Sequence, residues 1–282
     1  KIESRGAHIT TWTEVPRQSG LGGSSLFVLL TLASLRAFYN LDTQKHNDYV
    51  LAELTQRVES QELGITCGYA DRYVPLFGGL AYLDYRGKLD QKPLHEEPYA
   101  TYERLSPPGD TLPLVAVSSG VRHDSGDVHG NMRPIYLKEY HRWIDQGGPP
   151  PPMVRWMQTA WQTAWKGKIA LLQGDWTTFG ALMNINHQAV DEMMAYCGFS
   201  EGAGEINNLL IQTALEIGAL GAKLTGAGGG GSVFALTYPG GEERIIQAWQ
   251  DAAVKAGLTR AEIYRPRLDF RGLRVHGPGK ES

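Results

Sequence analysis

The residues best suited to chemistry lie in two glycine-rich loops and in a short acidic–basic stretch between them. The first loop, Gly20-Leu21-Gly22-Gly23-Ser24-Ser25, runs straight into an apolar segment that starts at Leu26. Glycines let backbone N–H groups approach an anion closely, and a helix that follows adds the positive end of its dipole. Ser24 and Ser25 can cap that helix or offer a hydroxyl to a divalent cation. The plainer alternative is a flexible linker or a tight turn, although a linker does not normally feed a buried apolar helix. The second loop, Lys223-Leu224-Thr225-Gly226-Ala227-Gly228-Gly229-Gly230-Gly231, leaves its backbone bare. Such a run costs conformational entropy on folding unless a ligand or tight backbone packing requires it. Neither loop is a P-loop or a dinucleotide fingerprint, because neither has the required strand, spacing and partner residues. Both suggest phosphate binding, by neither of the two commonest devices.

Between the loops lies Gly68-Tyr69-Ala70-Asp71-Arg72. A carboxylate beside a guanidinium stays ionised and suits orienting a hydroxyl or accepting its proton late. The alternative is a structural ion pair. Glu59, on a preceding predicted helix, can face the same space as a metal ligand, or lie on a solvated helix face.

The elements that must position these groups follow from periodicity. Ile9–Val15 alternates and is rich in β-branched residues, which predicts a strand. Residues 26–40 are apolar nearly all round and predict a buried helix capped by Ser24 or Ser25. Helices are also predicted for 47–62, 153–172, 179–194, 203–220 and 242–256, with another ending at the Gly147–Pro152 loop. Strands are predicted for 80–85, 112–118, 232–237 and 258–264. Met157, Trp161, Trp165 and Leu172 fall on one helix face and read as core; Trp161 and Trp165 lining a ligand site is the alternative. The order is mixed α+β rather than a strict βαβ alternation.

Composition narrows the function. The 282 residues fit about two domains, and 27 basic against 30 acidic side chains give a net charge of −3, with no surplus to neutralise a nucleic-acid backbone. The longest uncharged apolar run, Leu26–Leu35, is too short to span a membrane. Cys67 and Cys197 make neither a disulfide framework nor a four-ligand zinc site and read as reduced, packed thiols of a cytoplasmic protein. Residue 1 is Lys rather than Met, and further sequence ahead of it, with any targeting segment, is expected.

The two loops and the acidic stretch together resemble the GHMP small-molecule kinases. Pro16 with Gly20–Ser25 resembles that family's second motif, Lys223 with Gly226–Gly230 its third, and Gly68–Asp71 the site of its catalytic aspartate. Val15–Leu21, Glu62–Ile65, Asp71-Arg72, Gly78–Leu80 and Asp124–His129 followed by Arg133 are similar to sugar-1-kinases of the glucuronokinase type. The resemblance runs from about residue 9 to 240. It implies an α+β, two-domain fold with a ferredoxin-like C-terminal domain, divided as 1–113 and 114–282, with the site between them. Further N-terminal strands, with the family's first motif, are expected ahead of residue 1.

The resemblance further implies phosphoryl transfer from MgATP to the hydroxyl of a small-molecule sugar, glucuronate to glucuronate 1-phosphate being the first choice. Gly20, Leu21, Gly22, Gly23, Ser24, Ser25, Gly226, Ala227, Gly228 and Gly229 would bind the nucleotide phosphates. Ser24 and Glu59 would ligate Mg²⁺, and Asp71 would orient or deprotonate the acceptor. Arg17, Arg72, His129 and Arg133 would hold the substrate, while His123, His141 and His187 would be structural. Ala70 stands where the subfamily has Gln, and Asp127 where it has a lysine; an acid at 127 would repel a sugar carboxylate. A heptose-phosphate or arabinose kinase, or a non-catalytic metabolite-binding protein of the same fold, are the alternatives. Oligomeric state is not legible.

Overall fold

The computed structural model describes residues 6–88, 92–108, 111–122 and 125–276, and for Ser125 the backbone alone. The chain forms two compact units. One comprises Lys1–Glu14, Gly22–Leu105 and Leu268–Ser282; the other comprises Val15–Leu21 and Ser106–Arg267. The division departs from a single cut after residue 113, because residues 15–21 join the later unit and the C-terminal segment returns to the earlier one.

The first unit contains helices α1 (Gly23–Phe38), α2 (Asp48–Arg57) and α3 (Ala70–Phe77) and an antiparallel pair, β1 (Leu80–Asp84) and β2 (Thr101–Leu105). Asn47 caps α2 by accepting from the Val50 amide at 3.0 Å. Immediately after α2 the chain widens into one π turn, Val58–Glu62, the kind of irregularity that re-aims side chains near functional sites. Leu29 and Ala33 of α1, Leu51 and Ala52 of α2, and Tyr73 and Leu76 of α3 form the core. The C-terminal segment is tied to this unit by backbone bonds from Gly79 N to Asp269 O (2.6 Å) and from Leu273 N to Leu76 O (3.1 Å). A Cβ on Gly78 would lie 2.4 Å from Gly272 N, so this crossing requires glycine.

The second unit contains β3 (Leu114–Ser118), α4 (Ser125–Gln146), α5 (Pro152–Gln173), α6 (Trp176–Tyr196), α7 (Glu205–Glu216), β4 (Gly221–Thr225), β5 (Ser232–Leu236), α8 (Glu242–Lys255) and β6 (Glu262–Tyr264). Its sheet runs β4-β5-β3-β6, antiparallel throughout. With α4–α7 after the first strand and α8 before the last, this is the β-α-β-β-α-β plan of a ferredoxin-like sheet, as expected. Val115 and Val117 of β3 pair with Ala235 and Val233 of β5, and all four side chains are buried. Ile245, Trp249 and Ala253 of α8, spaced by four, bury one stripe. The Trp249 indole donates to Leu210 O at 2.7 Å.

Several expectations from sequence are corrected. Residues 9–15 form no strand; alternation makes a strand only where a neighbour completes its ladder, and these residues are largely exposed. α1 is capped by neither serine: Gly22, at φ +72°, is its N-cap, and Ser24 and Ser25 lie inside its first turn. α1 is also not buried all round, since Phe27, Leu30 and Phe38 are exposed. α3 falls on residues for which no helix is predicted, because Gly68 and Pro75 are ordinarily breakers. Residues 203–220 hold the shorter α7, and Lys223–Thr225 belong to β4 rather than to the loop.

Of the α5 face expected as core, only Trp165 is even half-buried. Trp161 is 59% exposed, and Met157 and Leu172 are exposed with it. The inward face carries Met153, Val154, Thr163, Gly167, Ala170 and Leu171 instead. A Cβ on Gly167 would stand 3.3 Å from the Phe179 ring, so the small residues set the α5–α6 contact.

Candidate functional site

In the first unit, the turn into α1 and the start of α3 meet at Gly22 and Asp71. A Cβ on Gly22 would lie 3.2 Å from both Cβ and Cγ of Asp71. The left-handed cap and the close approach therefore both demand glycine at 22. The result sets a carboxylate against the N-terminus of α1, where the first-turn N–H groups have no intrahelical acceptor. The Asp71 side chain is 53% exposed, within reach of solvent or a ligand. Pro75, four residues on, has no N–H to give the Asp71 carbonyl.

Glu59 shares this region from the π turn. Its Oε1 accepts from Ser24 Oγ at 3.0 Å and from Ser25 Oγ at 3.3 Å. Its Oε2 accepts from the Arg72 guanidinium, which also donates to Gly68 O at 2.8 Å and stands 3.9 Å from Asp71 Oδ2. Glu59 and Arg72 are each 1% exposed, Ser25 is buried and Ser24 is exposed. Glu59 is thus no solvated helix face, because the π turn rotates it inward and leaves Glu62 outside.

These oxygens suit a magnesium ion. Mg²⁺ takes hard oxygen ligands at about 2.0–2.1 Å in an octahedron, whose adjacent oxygens stand about 2.9 Å apart. Ser24 Oγ and Glu59 Oε1 match that edge at 3.0 Å. Among the described residues no group of three or more His, Cys, Asp or Glu side chains could hold a metal. Such an ion would need phosphate oxygens and water for its other positions.

In the second unit, the first residues of one glycine loop pack on the other, backbone to backbone. Gly20, at φ +73°, would place a Cβ 2.7 Å from Thr225 O, and Gly226, at φ +78°, one 2.8 Å from Gly20 Cα. Ser232 Oγ donates to Ser19 O at 2.7 Å, which locks the pair. The rest of the second loop is moored to the α6–α7 turn. Gly229 N donates to Ala203 O at 2.8 Å, and Asn207 Nδ2 donates to Gly230 O at 2.9 Å. A Cβ on Gly228 would strike Met194 Sδ at 2.7 Å. Close packing explains these glycines as directly as a ligand does. Ala227 is buried in the same cluster.

The residues expected to hold substrate separate. Arg72 is buried against Glu59 and is no ligand for a substrate carboxylate, which corrects that expectation. His129 and Arg133 stand four residues apart on one face of α4, both half-buried, while Arg17 is exposed in the turn before Ser19. The Asp127–His129 stretch lies in α4, with Asp127 exposed in its first turn. His123 lies outside the described residues. His187, in α6, bonds Asn208 Oδ1 through Nε2 at 3.1 Å, and burial holds its pKa below the usual histidine value.

Two residues escaped the sequence. Tyr85 buries a hydroxyl that has no hydrogen-bond partner among the described residues; burial first, then the Asp71 charge, pushes its ionisation far upward. Only its place at the end of a predicted strand hinted at it. Asn207, fully buried, gave no signal at all. Both cysteines are free, and burial raises each thiol pKa, as packed thiols require. No helix among the described residues is long and apolar enough to cross a membrane.

The family model for the GHMP kinases N terminal domain matches residues 1–79, and that for GHMP kinases C terminal matches residues 168–255. Glucuronokinase 1 of Arabidopsis thaliana is 30% identical over 251 residues, covering 88% of this chain and 61% of that protein. Probable glucuronokinase 2 of the same plant is 32% identical over 232 residues, covering 80% and 56%. The chain thus spans about three-fifths of the length of these relatives. Lactococcus lactis galactokinase, solved with galactose, superposes with a TM-score of 0.69 at 19% identity over 93% of this chain and 69% of its own, a likeness of fold.

Proposed function

The chain belongs to the GHMP kinase family, and from that premise we propose that it transfers the γ-phosphoryl group of ATP to a sugar hydroxyl, with glucuronate as the substrate and glucuronate 1-phosphate as the product. The observation that carries the reading is the packing of the Asp71 carboxylate against Gly22, the N-cap of α1, two residues before Ser24, whose hydroxyl pairs with Glu59.

In this mechanism the N–H groups at the start of α1 and the backbone of the Gly20–Ser25 and Gly226–Gly229 loops bind nucleotide phosphates, with helix-dipole charge in place of a Walker lysine. The acceptor oxygen forms a bond to the γ-phosphorus as the bond to the ADP oxygen breaks. The hydroxyl proton passes to Asp71, which also aims the lone pair. Phosphoryl transfer is mostly positioning and electrostatics, so a weak carboxylate base suffices. When bound at Ser24 and Glu59, Mg²⁺ supplies neutralisation of phosphate charge. With Arg72 committed to Glu59, Arg133 and His129 on α4, and Arg17, are the groups assigned to the substrate.

The test is coupled ATP turnover by the full-length protein against glucuronate, galacturonate, galactose, arabinose, heptose 7-phosphate and mevalonate, beside an Asp71→Asn variant. Turnover with glucuronate is expected, falling roughly 10²- to 10⁴-fold in the variant, with ADP binding and melting temperature retained because the side chain is half-exposed. Turnover with a neutral or phosphorylated sugar alone would replace the substrate. ADP binding with no turnover on any of the panel would refute the kinase reading in favour of a binding protein.

A further inference from the structure

Arg72 adjoins the half-exposed Asp71, yet its own guanidinium is buried and beyond a substrate's reach. Its bonds run elsewhere: to Glu59 Oε2, and to the Gly68 carbonyl in the turn that leads into α3. The two oxygens of Glu59 are thereby divided. One is held by the guanidinium, and the other accepts from Ser24 and Ser25 in the first turn of α1. A glutamate on a π turn, otherwise free to rotate its terminal torsion, is fixed by a rigid planar donor. The same contact gives a buried carboxylate the compensating cation it needs.

We propose that Arg72 is a positioning residue for Glu59: it clamps Oε2 so that Oε1 stays 3.0 Å from the exposed Ser24 hydroxyl, at the spacing of a magnesium-binding edge. This rests on reading the site as one for a nucleotide with Mg²⁺. Groups that orient a metal ligand from behind are worth roughly 10- to 100-fold in metal affinity. A merely structural ion pair would change stability and leave the metal response alone.

The experiment titrates Mg²⁺ against binding of a fluorescent ADP analogue to the full-length protein, for wild type, Arg72→Lys and Arg72→Met, with a melting curve for each. Lysine keeps the charge but loses the planar fork, and it is the variant that decides the matter where methionine does not fold. The expected result is that metal-free ADP affinity stays at the wild-type value. The Mg²⁺ concentration for half-maximal tightening should rise roughly tenfold in Arg72→Lys, and further in a folded Arg72→Met. A wild-type Mg²⁺ midpoint in folded Arg72→Lys would overturn the positioning role and leave the kinase reading standing. No ADP binding by wild type would overturn the kinase reading and this role together. ADP binding that ignores Mg²⁺ in wild type would overturn the metal assignment and the role with it.

Discussion

Replacing Gly20 by alanine puts a methyl group 2.7 Å from the Thr225 carbonyl oxygen, a backbone atom that no side-chain rotation can move aside. Three effects add. Alanine in the left-handed region at φ +73° costs about 1 kcal/mol. Relieving the contact requires the two loops to part by some tenths of an ångström, an overpacking cost on the order of 1 kcal/mol at the least. Parting them stretches the Ser232–Ser19 bond (2.7 Å) and the weaker Thr225–Gly20 bond (3.4 Å), at about 1 kcal/mol for the pair. The sum is about 3 kcal/mol, which lowers the melting temperature of a unit this size by roughly 6 to 12 °C. The control is Gly130→Ala. That position lies inside α4 with nothing within 4 Å of a built Cβ, so alanine should stabilise by about 0.5–1 kcal/mol through helix propensity. Differential scanning calorimetry of both variants, with ADP binding alongside, is the assay. Gly20→Ala should also weaken ADP at least tenfold, because the phosphate-binding backbone is displaced. A Gly20→Ala protein that melts within 2 °C of wild type would show that the loops are not packed as described. Normal melting with normal ADP affinity would remove the loop from the nucleotide site as well.

Two further perturbations test other parts of the argument. Lys88 Nζ bridges two buried carboxylates, Glu53 and Glu97, each at 2.8 Å, and donates to Pro98 O at 2.9 Å. Lys88→Met removes the cation the two acids share, leaving Glu53 the Tyr73 hydroxyl and Glu97 the Arg57 guanidinium and the Lys92 amide, and should cost about 3 kcal/mol by urea unfolding; a loss under about 1 kcal/mol would contradict the burial of the network. His187 resists protonation because it is buried, so the unfolded chain binds the proton more readily and stability falls as pH drops below about 6.5. His187→Gln should flatten the decline in melting temperature between about pH 6.5 and 5; parallel pH curves for variant and wild type would place the acid sensitivity elsewhere.

The candidate groups stand out in the sequence because their residue types and spacing are local. The glycines of 20–23 and 226–231 announce backbone exposed to an anion or to other backbone, and Asp71 is singled out by the resemblance of Gly68–Asp71 to a family motif. The helices of 153–172, 179–194 and 242–256 were legible within a few residues, since an apolar period of 3.6 depends on near neighbours alone. Where breakers interrupt the pattern the reading failed. Gly68 and Pro75 hid α3, and no propensity scale foresees the π turn that carries Glu59 inward.

Which partner each charge and each face finds is another matter, because partners lie far apart along the chain. Arg72 reads as a substrate ligand by its place after Asp71, and becomes a clamp on Glu59 only when α3 packs beside the π turn, thirteen residues away. Gly22 reads as one more loop glycine until Asp71 arrives 3.2 Å from its missing Cβ. The α5 tryptophans read as core from their size and spacing, yet the small residues of the opposite face admit α6 and leave Trp161 in solvent. Sequence by itself determined the long, regularly patterned helices and the types of the reactive groups, for these depend on neighbours along the backbone. Tertiary structure decided which of those groups face one another, because close packing and charge pairing depend on distances that only the folded chain sets.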